Sequence, residues 1–173
     1  MTRSTDDVLR DVFITGLKNA HGVEHQALAL IDRQLDRLKN YDEVAARLRE
    51  HRGETETQIE RLESILGGFD EDASGLKDAA MSMSGNLAAL GHTFAEDEIL
   101  KNAFANFAFE NFEVASYKSL IVLARNGGFS SAMDPLAETL GEEEAMAAWV
   151  DENLAALTEK YVALKAAGEK ASR

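Results

Sequence analysis

Cysteine is absent from the 173 residues, which excludes disulfides, zinc ribbons, thiolate-held clusters and a cysteine nucleophile. A single proline and 12 glycines leave few chain-breakers, so long helices are favoured over a fold of many strands and turns. No apolar run reaches the roughly 18 residues needed to cross a bilayer. Basic residues are outnumbered 31 to 18, a net charge of −13, and no block of Lys and Arg gathers anywhere. A nucleic-acid surface needs clustered cations to displace counterions, and the same lack weakens binding to anionic membranes. The opening MTRSTDDVLRDVF has no apolar signal-peptide core. These absences lead to the expectation of a cytoplasmic protein that binds neither nucleic acid nor membrane.

Hydrophobic residues make up 45% of the chain and charged residues 28%, enough for one sizeable core in a single domain. Apolar residues at steps of three and four mark four helices. The first stripe runs Phe13, Leu17, Ala20, Leu28, Ile31, Leu35 and Leu38, with a break near Asn40. The second runs Val44, Leu48, Ile59, Leu62, Ile65 and Leu66 and stops at Gly67-Gly68. The third starts near Thr93 or Asp97, runs Leu100, Ala103, Phe107, Val114, Tyr117 and Ile121, and stops at Gly127-Gly128. The fourth starts near Ser130 or Ser131, with Pro135 tolerated in the first turn, and runs Leu136, Leu140, Ala147, Val150, Leu154 and Leu157. The less regular stretch from Asp70 to Gly91 predicts a short connecting helix. The fold expected is an all-α antiparallel four-helix bundle. It forms one domain over residues 1–173, with a core from about 8 to 160 and a frayed tail from about 167.

Glutamates interrupt these stripes. Glu24 fills the gap in the first, Glu110 in the third and Glu143 in the fourth. Glu24 and Glu54 are 30 residues apart around the turn at Asn40, and Glu113 and Glu143 are 30 apart around Gly128. Each pair is therefore expected at one height, roughly 22 Å from its turn, so that four carboxylates meet at mid-bundle. Glu110, one helical turn from Glu113, would be a fifth. Buried carboxylates protonate, pair or bind a metal, and counter-cations on these stripes are scarce. Divalent ions are the natural neutraliser, and helical bundles use inward glutamates for di-iron and di-manganese sites. A lone glutamate on an apolar stripe usually sits at its edge with its head in solvent; the joint pattern is what favours metal.

Among the histidines, His51 shares a helix face with Glu54 and is a candidate ligand, an outer donor or an ordinary helix residue. His21 is expected to support the site near Glu24, and His25 to point elsewhere. Phe104, Phe107, Phe109 and Phe112 read as packing. Tyr117 reads either as packing or as a hydrogen-bond donor beside the metal, with packing preferred. Glu142 and Glu144 should be solvated.

The segments GVEHQAL, HRGETETQIERLE, FENFEVASYKSL and TLGEEEA, in this order, resemble the YciE/YciF stress-protein family of the ferritin-like superfamily over about residues 8–160. The resemblance implies a ferritin-like bundle with an additional short helix between helices two and three, a dinuclear iron-type site and a link to bacterial stress responses. It carries the metal role to Glu24, Glu54, Glu110, Glu113 and Glu143. The chain departs from ferritin-like patterns at Thr57 and Met146, where histidines are common, and at Ala147, where an acid is common. His51 is left as the main nitrogen ligand. The expected function is a non-haem protein holding two iron ions, with manganese the alternative, that reduces dioxygen or peroxide. The competing expectation is a non-catalytic stress protein acting through dimerisation or partner binding. A homodimer is the default assembly.

Overall fold

The computed structural model describes residues 3–70 and 96–173. Four long helices account for most of them: α1 (Thr5–Leu35), α2 (Asp42–Gly67), α3 (Glu98–Gly127) and α4 (Met133–Ala166), with a 3-10 turn at Ser130–Ala132 before α4. The all-α bundle expected from the stripes is what forms. The predicted short connecting helix lies outside the described residues.

Local chemistry sets the helix ends. The Ser4 hydroxyl accepts from the Asp7 N–H and caps α1, and acidic residues in the first turns of α1 and α2 suit the helix dipole. Gly128 ends α3 in the left-handed region at φ 72°, where a side chain would be strained. Gly16 serves a different need. A Cβ there would lie 2.8 Å from Leu120 Cδ2, so glycine lets α1 and α3 approach closely.

Cross-helix pairs fix the directions. Arg52 reaches Asp32 at 2.7 Å, and His21 meets Glu63 at 3.1 Å, so α1 and α2 are antiparallel. Gln34 bonds Asn106 and Arg37 binds Glu98, making α1 and α3 antiparallel. Arg61 of α2 grips Glu142 and Glu138 of α4, and Lys118 of α3 meets Glu144 of α4. The end of α2 meets the start of α1 through Arg10 and the Phe69 carbonyl, whereas α3 begins at the opposite end beside Arg37. Helices two and three thus run in the same direction.

The core has two main apolar clusters. One joins Phe13, Leu17, Leu62, Leu66, Leu120 and Leu136 toward the end where α1 begins. The other joins Ile31, Leu48, Met146 and Val150 toward the opposite end. A smaller patch of Val23, Ala27 and Phe109 lies between α1 and α3.

Two expectations need correction. The tail beyond residue 167 is not frayed. The Tyr41 hydroxyl donates to the Ala171 carbonyl, the Asn40 amide to that of Lys170, and the Ile99 N–H to that of Ser172, with Ala171 buried. Polar backbone gives no periodic signal, so sequence pattern misses such docking. The second correction concerns the phenylalanines. Phe109 packs in the core, but Phe104, Phe107 and Phe112 are 53%, 40% and 50% exposed.

The docked tail makes a prediction. Deleting residues 168–173 removes the hydrogen bonds from Asn40, Tyr41 and Ile99 to the tail and the burial of Ala171, at a cost of about 1–3 kcal/mol. For a domain of this size that lowers the melting temperature by roughly 3–10 °C. A melting curve unchanged by the deletion would show that the tail contributes nothing.

Candidate metal centre

Each helix delivers at least one ionisable group to the space between the two apolar clusters. α1 supplies Glu24 from within a buried run, Ala20 to Glu24. The inward positions of α2 are Leu48, His51, Thr55, Gln58 and Leu62, an unbroken three/four rhythm in which polar residues occupy the middle. α3 supplies Glu110, Glu113 and Tyr117 from successive turns, and α4 supplies Glu143 with Met146 one turn on. Glu24, Glu113, Glu143 and His51 are each at most 1% exposed and Glu110 is 5% exposed.

His51 sits at the junction. Its Nε2 is 3.2 Å from Glu110 Oε2 and 3.8 Å from Glu143 Oε2. One nitrogen of His51 and one oxygen from each of these glutamates lie within 4.8 Å of one another, close enough to share an ion. Its Nδ1 is 2.8 Å from Glu54 Oε2, which also accepts from Arg47 at 3.1 Å. The Tyr117 hydroxyl donates to Glu24 Oε1.

The other oxygens are unpartnered. Glu24 Oε2 and both oxygens of Glu113 and Glu143 are buried without a hydrogen bond. Native proteins rarely leave such groups unsatisfied, and the three glutamates lie close enough to repel one another. Four ionised carboxylates beside one imidazolium would leave three uncompensated negative charges. Burial pushes Glu24 up to about 8, with the Tyr117 hydrogen bond opposing it. Burial pushes Glu143 up to about 10, reinforced by Glu110, and drives Glu113 well above the carboxylate range, reinforced by Glu24 and Glu143. For His51, burial disfavours the proton, but hydrogen bonds to Glu110 and Glu54 outweigh it and push the imidazole up to about 10. Without a cation, protons hold the cluster together. An oxygen-rich set with one nitrogen is the donor chemistry of iron or manganese, so the residues present fit the group expected from sequence.

The structure brings Glu24, Glu110, Glu113, Glu143 and His51 together and holds Glu54 at the rim. Glu54 precedes the inward Thr55 by one residue, about 100° of helix phase, and its carboxylate is about a quarter exposed. The His51 hydrogen bond lowers its pKa, with burial opposing and Arg47 assisting. Glu54 therefore remains a carboxylate and orients the imidazole so that Nε2 faces the cluster. His21 does not turn to Glu24 as expected; it meets Glu63 of α2. Tyr117 does more than pack, since it bonds Glu24. Glu142 is not solvated: Arg61 holds both its oxygens, at 2.6 and 3.0 Å, and Gln58 donates to it at 3.0 Å. Sequence reading missed Thr55 and Gln58 as interior polar residues. Stepping from Leu48 to Leu62 at helical spacing would have found both.

A pH dependence follows for the metal-free chain. Glu24, Glu113, Glu143 and His51 all hold protons more tightly folded than unfolded. Between the unfolded values, 4.5 for the glutamates and 6.5 for His51, and the raised folded ones, the folded chain binds more protons. Stability must then fall as pH rises. Glu54 has the opposite sign, but only below its ordinary 4.5. Melting temperature under chelator should decline from about pH 5 to about pH 9. A flat or rising profile would contradict three buried glutamates and a buried imidazole whose pKa values are all raised by the fold.

Comparison with known proteins agrees with this architecture. Residues 8–163 match the family model described as "Domain of unknown function (DUF892)". Protein YciF of Escherichia coli strain K12 is 30% identical over 147 residues, covering 79% of this chain and 84% of YciF. The crystal structure of the E. coli stress protein YciF superposes with a TM-score of 0.68 at 23% identity, over 84% of this chain and 94% of that one. A protein of Xanthomonas campestris pv. campestris superposes with a TM-score of 0.76 at 24% identity, over 91% and 97% of the two chains. The chain belongs to the DUF892 family and is a helical bundle of the YciE/YciF type.

Proposed function

We propose that this chain is a non-haem dinuclear metal protein, with iron the expected metal and manganese the alternative. The observation that carries the reading is the set of five orphaned carboxylate oxygens on Glu24, Glu113 and Glu143, buried within a cluster completed by Glu110 and His51. These five residues would hold two ions. Glu54 fixes the imidazole from outside, a carboxylate–histidine arrangement that tunes metal sites. Tyr117 restrains Glu24 through one oxygen and leaves the other for the metal. The apolar clusters on either side exclude water. Two iron ions would supply electrons for reduction of dioxygen or peroxide. The association with stress rests on likeness to the E. coli stress protein, and a cytoplasmic location is part of the proposed reading. No described helix is long and apolar enough to cross a membrane.

A second reading, a non-catalytic stress protein acting through dimerisation or a partner, draws on the exposed Phe104, Phe107 and Phe112 of α3. Burying such an apolar face stabilises association. The homodimer belongs to both readings.

The two readings separate on metal. At free iron or manganese near one hundred times the dissociation constant, the folded chain should gain about 2.7 kcal/mol, a rise of roughly 5–10 °C in melting temperature. Glu113→Gln should abolish that shift and lower the stoichiometry below two. The same change removes the cost of protonating Glu113 on folding at a pH well above its unfolded pKa, so under chelator near pH 8 its melting temperature should equal or exceed that of the unaltered chain. Glu144→Gln, on the surface, should preserve metal binding. Equal metal shifts for both variants, or no shift in the unaltered chain, would eliminate the dinuclear reading.

A further inference from the structure

We propose that His21, His25 and Glu63 form a second metal site on the flank of the bundle between α1 and α2, suited to an imidazole-preferring divalent ion of the zinc class. His21 and His25 are four residues apart on α1, the spacing that stacks two side chains on one helix face. Their rings meet edge to face with centroids 4.6 Å apart. Glu63 approaches from α2, its Oε1 3.1 Å from His21 Nε2. One ligand atom from each of the three residues lies within 4.8 Å of the others. Zinc bonds to nitrogen and carboxylate oxygen are about 2.0–2.2 Å long, so closing the triad asks for small rotations of His25 and Glu63, both on the surface.

A plain interhelical contact accounts for only part of this arrangement. His21 is 5% exposed, so packing holds its ring in place with Nε2 turned to Glu63 at the rim. His25 adds nothing to the His21–Glu63 contact, yet its ring closes over it. The donor set also differs from that of the central cluster: two imidazoles and one carboxylate suit zinc, copper or nickel, whereas the central site is carboxylate-rich. The flank triad would keep a coordination position open to solvent, because His25 and Glu63 are exposed.

Zinc titration by calorimetry of the full chain tests the assignment, with the flank variants compared directly so that any zinc taken up by the central cluster is common to all of them. One zinc ion should bind at the flank, over and above any at the central cluster, and His25→Ala and Glu63→Ala should each weaken that one binding event by at least about 10–100-fold, the loss typical even of an outer partner of a metal ligand. Circular dichroism of these two surface variants should be unchanged, which separates ligand loss from misfolding. Anomalous scattering at the zinc edge should place the ion between His21 and His25. Zinc affinity unaltered by both substitutions, or an anomalous peak elsewhere with none at the triad, would overturn the proposal. Neither readout depends on whether the central cluster binds iron.

Discussion

Four carboxylates share one water-poor space with a single imidazole, and the rest of the bundle is organised around that conflict. Glu24, Glu113 and Glu143 favour the neutral form in the metal-free chain chiefly because burial acts against their charge. Protons relieve the repulsion at the cost of pH sensitivity. Divalent ions would relieve it in place of the protons, displacing those on His51 and the raised glutamates as they bound, so metal affinity would rise with pH. The site is therefore a place where folding stability, acidity and metal affinity are one quantity.

The scaffold keeps the carboxylates from swinging into solvent. Leu62, Leu66 and Leu136 close one end, and Leu48, Met146 and Val150 close the other. Met146 stands one turn from Glu143, where it adds packing and no nitrogen donor. Outside the cluster, Arg61 ties α2 to α4 through Glu138 and Glu142, and Arg37 ties the end of α1 to the start of α3 through Glu98 at 2.5 and 2.7 Å. The docked tail seals the end where Tyr41 lies. These contacts span all four helices, so the spacing of the acids is set by the whole bundle.

Much of this was legible in the sequence, for a physical reason. Glu24, Glu110 and Glu143 announce themselves because each replaces an apolar residue in a regular stripe, and Glu113 follows from symmetry about Gly128. The second helix was read less well. Its inward face carries His51, Thr55 and Gln58, which look like surface residues one at a time, so the height argument selected Glu54 over His51. Height alone does not decide which residue faces inward; helix phase does, and Glu54 is one residue out of phase. The tail contacts, the Arg61–Glu142 clamp and the turning of His21 toward Glu63 were not legible. They depend on which helix lies beside which, information that a single stripe does not carry.

The most direct test is a crystal of the iron-loaded protein measured on both sides of the iron absorption edge. The account predicts two anomalous peaks among Glu24, Glu110, Glu113, Glu143 and His51, with Glu54 still hydrogen-bonded to His51 Nδ1. A map with no anomalous density at the bundle centre, in protein exposed to saturating ferrous iron, would contradict it.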